Sequence, residues 1–66
     1  MAIEREVIAG DRFPVGDICP QGGRYRHTAC DNLEIYYKGT VFVTCSNQDC
    51  PRKFAEWEFW EKMDLG

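Results

Sequence analysis

The 66-residue sequence predicts a small all-β domain, with three to four antiparallel strands around one metal site that staples them together. Three observations lead there. First, ordering costs roughly 1.5 kcal/mol per residue, and the apolar burial of so short a chain only about matches that, so a staple is expected. Second, metal-ligand residues come in two tight groups, His27-Thr28-Ala29-Cys30 and Cys45-Ser46-Asn47-Gln48-Asp49-Cys50. Third, the intervening segment and the last third of the chain alternate and carry the aromatic and β-branched residues that strands favour. With 44% hydrophobic residues, including four Phe, three Tyr and two Trp, the composition excludes a disordered chain.

The whole chain, residues 1–66, is read as one domain. Residues 1–9 are expected to form an arm or an edge strand. Residues 9–17 read as loop, punctuated by Gly10, Pro14 and Gly16, with Phe13 and Val15 as its apolar anchors. Cys19-Pro20-Gln21-Gly22-Gly23 continues into a tight turn. Arg24-Tyr25-Arg26-His27 then alternates as a short strand, Tyr25 and His27 on one face and the arginines on the other.

A hairpin is expected next, over residues 33–44. A two-residue turn at Lys38-Gly39 would force Lys38 to positive φ, which a residue with a Cβ resists. A type I turn over Tyr37-Lys38, with Gly39 alone in the left-handed region, avoids that cost. This register pairs Ile35 with Val41 and Leu33 with Val43, and places all four on one face. Glu34, Tyr36, Thr40 and Phe42 fall on the other. One slip inverts every side chain, and aliphatic consistency selects this register. After the basic corner Pro51-Arg52-Lys53, residues 54–60 alternate as a strand, with Ala55, Trp57 and Phe59 inward and Glu56, Glu58 and Trp60 outward. Helical spacing also exists there, but aromatic density favours the strand. Residues 61–66 read as a frayed end.

His27-x2-Cys30 and Cys45-x4-Cys50 have the spacing at which two ligands bite one tetrahedral ion from a single turn, and the fourteen residues between them suffice for two short strands. The expected cofactor is one structural Zn²⁺ on His27, Cys30, Cys45 and Cys50. Structural zinc contributes an apparent ~10–16 kcal/mol to folding in small finger peptides. Cys19 is the rival fourth ligand, because the glycine-rich turn after it could return it to the site; spacing favours His27, which leaves Cys19 as a small buried hydrophobe. The N-terminal residues carry no signal-peptide pattern, and no apolar run approaches bilayer length. A reducing cytoplasmic setting is therefore expected, where paired cysteines serve metals more often than disulfides. Two disulfides in a secreted domain would leave the His27 spacing unexplained.

Cys-Pro-Gln-Gly-Gly-Arg-Tyr-Arg-His-Thr-Ala-Cys-Asp over residues 19–31, Glu-Ile-Tyr-Tyr-Lys-Gly-Thr-Val-Phe over 34–42, Cys45-x4-Cys50 and the tryptophan strand together resemble the short stand-alone zinc-ribbon proteins of bacteria and their phages. In that family a Pro-x-Gly turn leads to Tyr and a Cys-x2-Cys knuckle, then a Lys-Gly hairpin, a second knuckle and a closing Trp. The resemblance covers roughly residues 10–60 and implies a zinc-ribbon-like sheet with ligands at His27, Cys30, Cys45 and Cys50. His27 stands where the family usually has cysteine, and Val43-Thr44 replaces prolines common before the third ligand.

The formal charge is −3, and three thiolates with one divalent ion take it to −4. A protein-interaction module is the function expected first: a partner protein bound, inhibited or adapted through an aromatic and acidic sheet face. Trp60, Tyr36 and Phe42 would be its anchors, and Glu56, Glu58, Glu61 and Asp64 would steer a basic partner. The alternative is nucleic-acid binding through Arg24, Arg26, Lys38, Arg52 and Lys53, with Tyr36 for stacking; the net charge opposes it. No enzyme is expected. Four protein ligands close a zinc shell, the zinc-deaminase pattern fails at His27-Thr28-Ala29 and Cys50-Pro51, and Gly22-Gly23 lacks the Lys-Ser/Thr of a phosphate loop. A thiol switch on Cys45 and Cys50 ranks below these readings. No membrane association is expected.

Overall fold

A computed structural model describes residues 7–64. Four strands, β1 (Arg12–Phe13), β2 (Gly23–His27), β3 (Leu33–Tyr36) and β4 (Trp57–Lys62), form one antiparallel sheet in the order β1-β4-β2-β3. No helix among the described residues is long and apolar enough to cross a membrane.

β2 is the organising strand, and its alternation is as expected. Gly23, Tyr25 and His27 are buried on the inner face, while Arg24 and Arg26 lie outward. Gly23 is required by close approach: a Cβ there would meet the Glu61 carbonyl oxygen of β4 at 2.4 Å and the Phe59 ring at 3.0 Å. The β2–β4 register runs His27↔Trp57, Arg26↔Glu58 and Tyr25↔Phe59, then shifts to Arg24↔Glu61. Trp60 is thus an extra residue on β4, a bulge that leaves its indole outside with the Arg26 guanidinium 5.7 Å from the ring centroid. β4 is the strand that aromatic density predicts, with Trp57 and Phe59 buried, but it begins at Trp57 rather than at residue 54, because residues 52–55 close a turn, and it extends through Lys62. Glu61 and Lys62 are therefore not part of a frayed end; pairing with Arg24 and Gly23 holds them. Residues 9–17 are not all loop either, since Arg12 and Phe13 pair with Glu58 and Trp57. Phe13 and Val15 do anchor this stretch against the core. Most of the expected arm or edge strand over residues 1–9 lies outside the described residues.

The hairpin over residues 33–44 is replaced by two separate pairings. β3 pairs with β2, through Gly23↔Tyr36, Arg24↔Ile35, Tyr25↔Glu34 and Arg26↔Leu33. Residues 39–42 turn instead to residues 16–19: Phe42 N–H donates to the Asp17 carbonyl (2.9 Å), Gly16 N–H to Phe42 (2.9 Å), Cys19 N–H to Thr40 (2.6 Å) and Gly39 N–H to Cys19 (2.8 Å). The turn is centred on Lys38-Gly39, closed by Thr40 N–H to the Tyr37 carbonyl at 3.1 Å, and Gly39 alone of its residues has positive φ, at 92°. Lys38 escapes positive φ because the flanking segments do not continue as a ladder.

The expected face is inverted. Phe42 and Tyr36 are 0% and 7% exposed, whereas Leu33, Ile35, Val41 and Val43 are 44%, 50%, 49% and 54% exposed. Directly opposed residues of an antiparallel pair share a face, so β2 sends Tyr36 inward with Gly23 and sends Leu33 and Ile35 outward with the arginines. Burying rings also removes more apolar area than burying the aliphatics. The resulting core is aromatic: Tyr25 sits 5.0 Å from Phe42, 5.2 Å from Phe59 and 5.8 Å from Tyr36, centroid to centroid. The polar tips of these rings satisfy backbone that no ladder reaches. Trp57 Nε1 donates to the Val43 carbonyl (2.8 Å), and Val43 N–H donates to the Tyr36 hydroxyl (3.3 Å).

Candidate metal centre

His27 ends β2 and Leu33 begins β3, so the first ligand pair is the loop of a tight connection. His27 N–H donates to the Asn32 carbonyl (2.8 Å) and Asp31 N–H to the His27 carbonyl (2.9 Å). Asp31 takes φ 61°, a left-handed value that Asp tolerates better than most residues, and the curl returns the Cys30 thiol toward the imidazole. The second pair curls likewise. Cys50 N–H donates to the Asn47 carbonyl (3.1 Å) and Asp49 N–H to Asn47 Oδ1 (3.2 Å). Cys45 N–H and Lys53 Nζ then fasten the loop, to the Lys53 carbonyl (3.1 Å) and the Asn47 carbonyl (2.6 Å). Thr28 donates through both its N–H (3.1 Å) and its hydroxyl (2.9 Å) to the Glu56 carbonyl, tying the first loop to the chain entering β4.

The sheet brings His27, Cys30, Cys45 and Cys50 together, one donor atom from each lying within 4.8 Å of the others. His27 Nδ1 is 3.6 Å from Cys30 Sγ and 3.4 Å from Cys50 Sγ, and Cys30 Sγ is 3.4 Å from Cys45 Sγ. Tetrahedral bonds of roughly 2.3 Å to sulfur and about 2.0–2.1 Å to nitrogen put ligand atoms about 3.5–3.8 Å apart. The spacing suits one ion and is far beyond a disulfide bond of about 2.05 Å. All four cysteines of the chain are free thiols. The donor set therefore fits a metal ion. Nδ1 is the imidazole atom that faces the cluster; Nε2 is buried with no hydrogen-bond partner among the described residues, and the ring instead packs edge-on against Trp57, centroids 4.7 Å apart.

Cys19 lies elsewhere. It is buried at the other end of β2, its Sγ 3.4 Å from the Tyr25 hydroxyl and 3.1 Å from the Gln21 carbonyl, to which Tyr25 also donates (2.6 Å). Burial, together with the Cys19 hydrogen bond and charge, pushes the Tyr25 phenol well above its ordinary value. Burial likewise raises Tyr36. Within the cluster the thiols diverge. Burial works against ionising Cys30, but the Asn32 backbone N–H and contacts with Cys45, Cys50 and His27 outweigh it and draw that thiol down to about 6. Cys45 is pushed up, by burial first and by Cys30 and Cys50 beside it, against the Asn47 N–H.

Three residues to which the sequence reading gave no part in the site lie beside the cluster. Asn32 Nδ2 lies 3.8 Å from Cys45 Sγ and donates to Glu34 Oε2 (2.9 Å), which also accepts from the Ser46 hydroxyl (2.9 Å). Only the polarity of the residues flanking the knuckles hinted at them.

The other singled-out residues are scattered differently. Tyr36 and Phe42 are buried and cannot be surface anchors; Trp60 is exposed. Glu58 and Glu61 face Arg26 and Arg24 and pair with them, Arg26 Nε to Glu58 at 2.9 Å and Arg24 to Glu61 at 3.0 Å, while Asp31 also pairs with Arg26. The five basic residues do not gather. Arg24 and Arg26 lie neutralised on the outer face, Lys38 sits in the turn beside Cys19, and Arg52 and Lys53 follow the second knuckle. Comparison with protein-family models, with curated proteins and with solved structures finds no match to this chain.

Proposed function

We propose that this chain is a zinc-stapled, zinc-ribbon-like interaction domain that docks a partner protein on the outer face of its sheet. Three thiolates and one imidazole in tetrahedral spacing are a donor set that zinc favours in a reducing compartment such as the cytoplasm. Four protein donors fill a tetrahedral shell, which supports a structural role: His27, Cys30, Cys45 and Cys50 would hold the ion, and the ion would lock both knuckles to the sheet.

The observation that carries the docking surface is the outer face itself. Leu33, Ile35 and Trp60 are each about half exposed there, beside arginines whose charge Glu58, Glu61 and Asp31 already neutralise. An apolar face with internally compensated charge loses little on desolvation, and Trp beside Arg is the usual composition of an interface anchor. The nucleic-acid alternative loses Arg24 and Arg26 to these ion pairs. The test uses zinc-loaded protein as bait in a cell lysate, with Trp60→Ala and Leu33→Ser alongside. Partners captured by the parent chain are expected to be lost from both variants. An unchanged captured set would overturn the face assignment.

A further inference from the structure

An open groove of about 700 Å³ lies beside the metal centre, lined among others by Arg12, Thr28, Arg52, Lys53, Phe54 and Glu56. It lies apart from the Leu33–Ile35 edge of the face proposed above. From it we infer a second binding site, for a short acidic protein segment that carries an apolar residue.

Two features single it out. The first is Phe54, the most exposed large hydrophobic side chain among the described residues at 77%. It stands in the turn closed by Ala55 N–H to the Arg52 carbonyl (3.1 Å). That turn is not loose: the Cys45 and Thr28 hydrogen bonds to Lys53 and Glu56 fasten it on both sides to the two metal-binding loops. A phenyl ring displayed on a backbone so fastened is a pre-organised anchor.

The second is charge. Although the chain carries −3 overall, Arg12, Arg52 and Lys53 line this groove, and none has a carboxylate partner among the described residues, the Lys53 ammonium being held by the Asn47 carbonyl. Complementarity calls for an anionic ligand with an apolar group for Phe54. A nucleic-acid strand would need a longer basic track for successive phosphates, and here Glu56 interrupts the groove on a net acidic protein. One or two carboxylates flanking an aliphatic or aromatic residue match what is present. Most of the groove's lining residues are exposed, with Thr28 and Ala55 half-buried, and the groove is open, which suits an extended peptide better than an enclosed small molecule.

The test is selection of a random twelve-residue peptide phage library on zinc-loaded protein, followed by fluorescence-anisotropy titration of the recovered peptides. Expected are sequences rich in Asp and Glu around one large apolar residue, weakened at least about tenfold by Arg52→Glu and by Phe54→Ser. Replacing their acids with Asn and Gln should weaken them similarly. Each variant is checked for one bound metal and an unchanged near-UV spectrum; Arg12→Glu provides the independent variant should Arg52→Glu fail to fold. Trp60→Ala, which disables the outer face, should leave these peptides bound, so the two proposals fail separately. No enrichment, enrichment without acidic residues, affinity unmoved by Phe54→Ser, or tighter binding of a twelve-residue oligothymidylate or of anionic phosphatidylserine vesicles would each overturn the inference.

Discussion

Phe42 and Val41 are neighbours in sequence and opposites in the structure, and replacing each with alanine tests the whole packing arrangement. Phe42 is fully buried, with ring centroids of Tyr36, Tyr25 and Phe13 at 4.8, 5.0 and 5.5 Å. Truncating such a residue costs about 3–5 kcal/mol from lost transfer energy and the cavity left behind. Val41 is half exposed, so losing its two methyl carbons forfeits only part of about 0.8 kcal/mol per CH₂, or roughly 0.8 kcal/mol in all. A domain of this length holds about 3–10 kcal/mol in total, so Phe42→Ala removes much or all of it while Val41→Ala is barely felt. The assay is urea unfolding in excess zinc, followed by tryptophan fluorescence in a Trp60→Phe background so that it reports the buried Trp57. Phe42→Leu, expected at about 1–2 kcal/mol, keeps the comparison measurable if Phe42→Ala does not fold. Equal losses at the two positions, or a larger loss for Val41→Ala, would refute the aromatic core and restore the aliphatic face.

Chelation under reducing conditions should abolish the near-UV circular dichroism, and native mass spectrometry should find one ion per chain in the parent and in Cys19→Ser but little or none in His27→Ala and Cys45→Ser. Asn32→Ala should weaken metal affinity by roughly 10- to 100-fold, read by competition with a chelating dye, since its amide is the side-chain donor beside Cys45. Because burial raises Tyr25 and Tyr36 in the folded state, the stability they contribute is whole below their ordinary value of 10.0 and falls as pH rises above it, by about 1.4 kcal/mol per pH unit for Tyr25. Their phenolate absorbance at 295 nm should therefore appear together with loss of tertiary structure rather than before it. Gly23→Ala should cost about 1–3 kcal/mol in the same urea assay, because the contact at 2.4 Å is with a backbone oxygen that cannot swing aside.

The candidate ligand groups, the alternation of β2, most of the strand expected at 54–60 and the positive φ at Gly39 were all legible from residues a few positions apart. Each depends on local geometry: two ligands on one curl, side chains on alternate sides of an extended chain, a turn that one glycine relieves. The short strand at Arg12–Phe13 gave no such signal, because two residues have no periodicity and exist as a strand only where β4 offers its edge. Alternation already placed Trp60 outward, as it is, but the bulge that makes it the extra residue on β4 is set by the β2 register and had no local signal.

Residues 33–44 mark the boundary most clearly. Both faces of that segment carry apolar residues, Leu33, Ile35, Val41 and Val43 against Tyr36 and Phe42, so period two announces strands without saying which side is buried. That choice belongs to β2, whose inner face puts Tyr36 inward opposite Gly23 while its outward arginines oppose Leu33 and Ile35, and to residues 16–19, which pair with residues 39–42 in place of β3. Spacing along the chain could nominate both His27 and Cys19 to join the other cysteines. Their separation to the two ends of one strand follows from extended geometry, about 3.3 Å per residue, once Gly23–His27 pairs with neighbours on both sides.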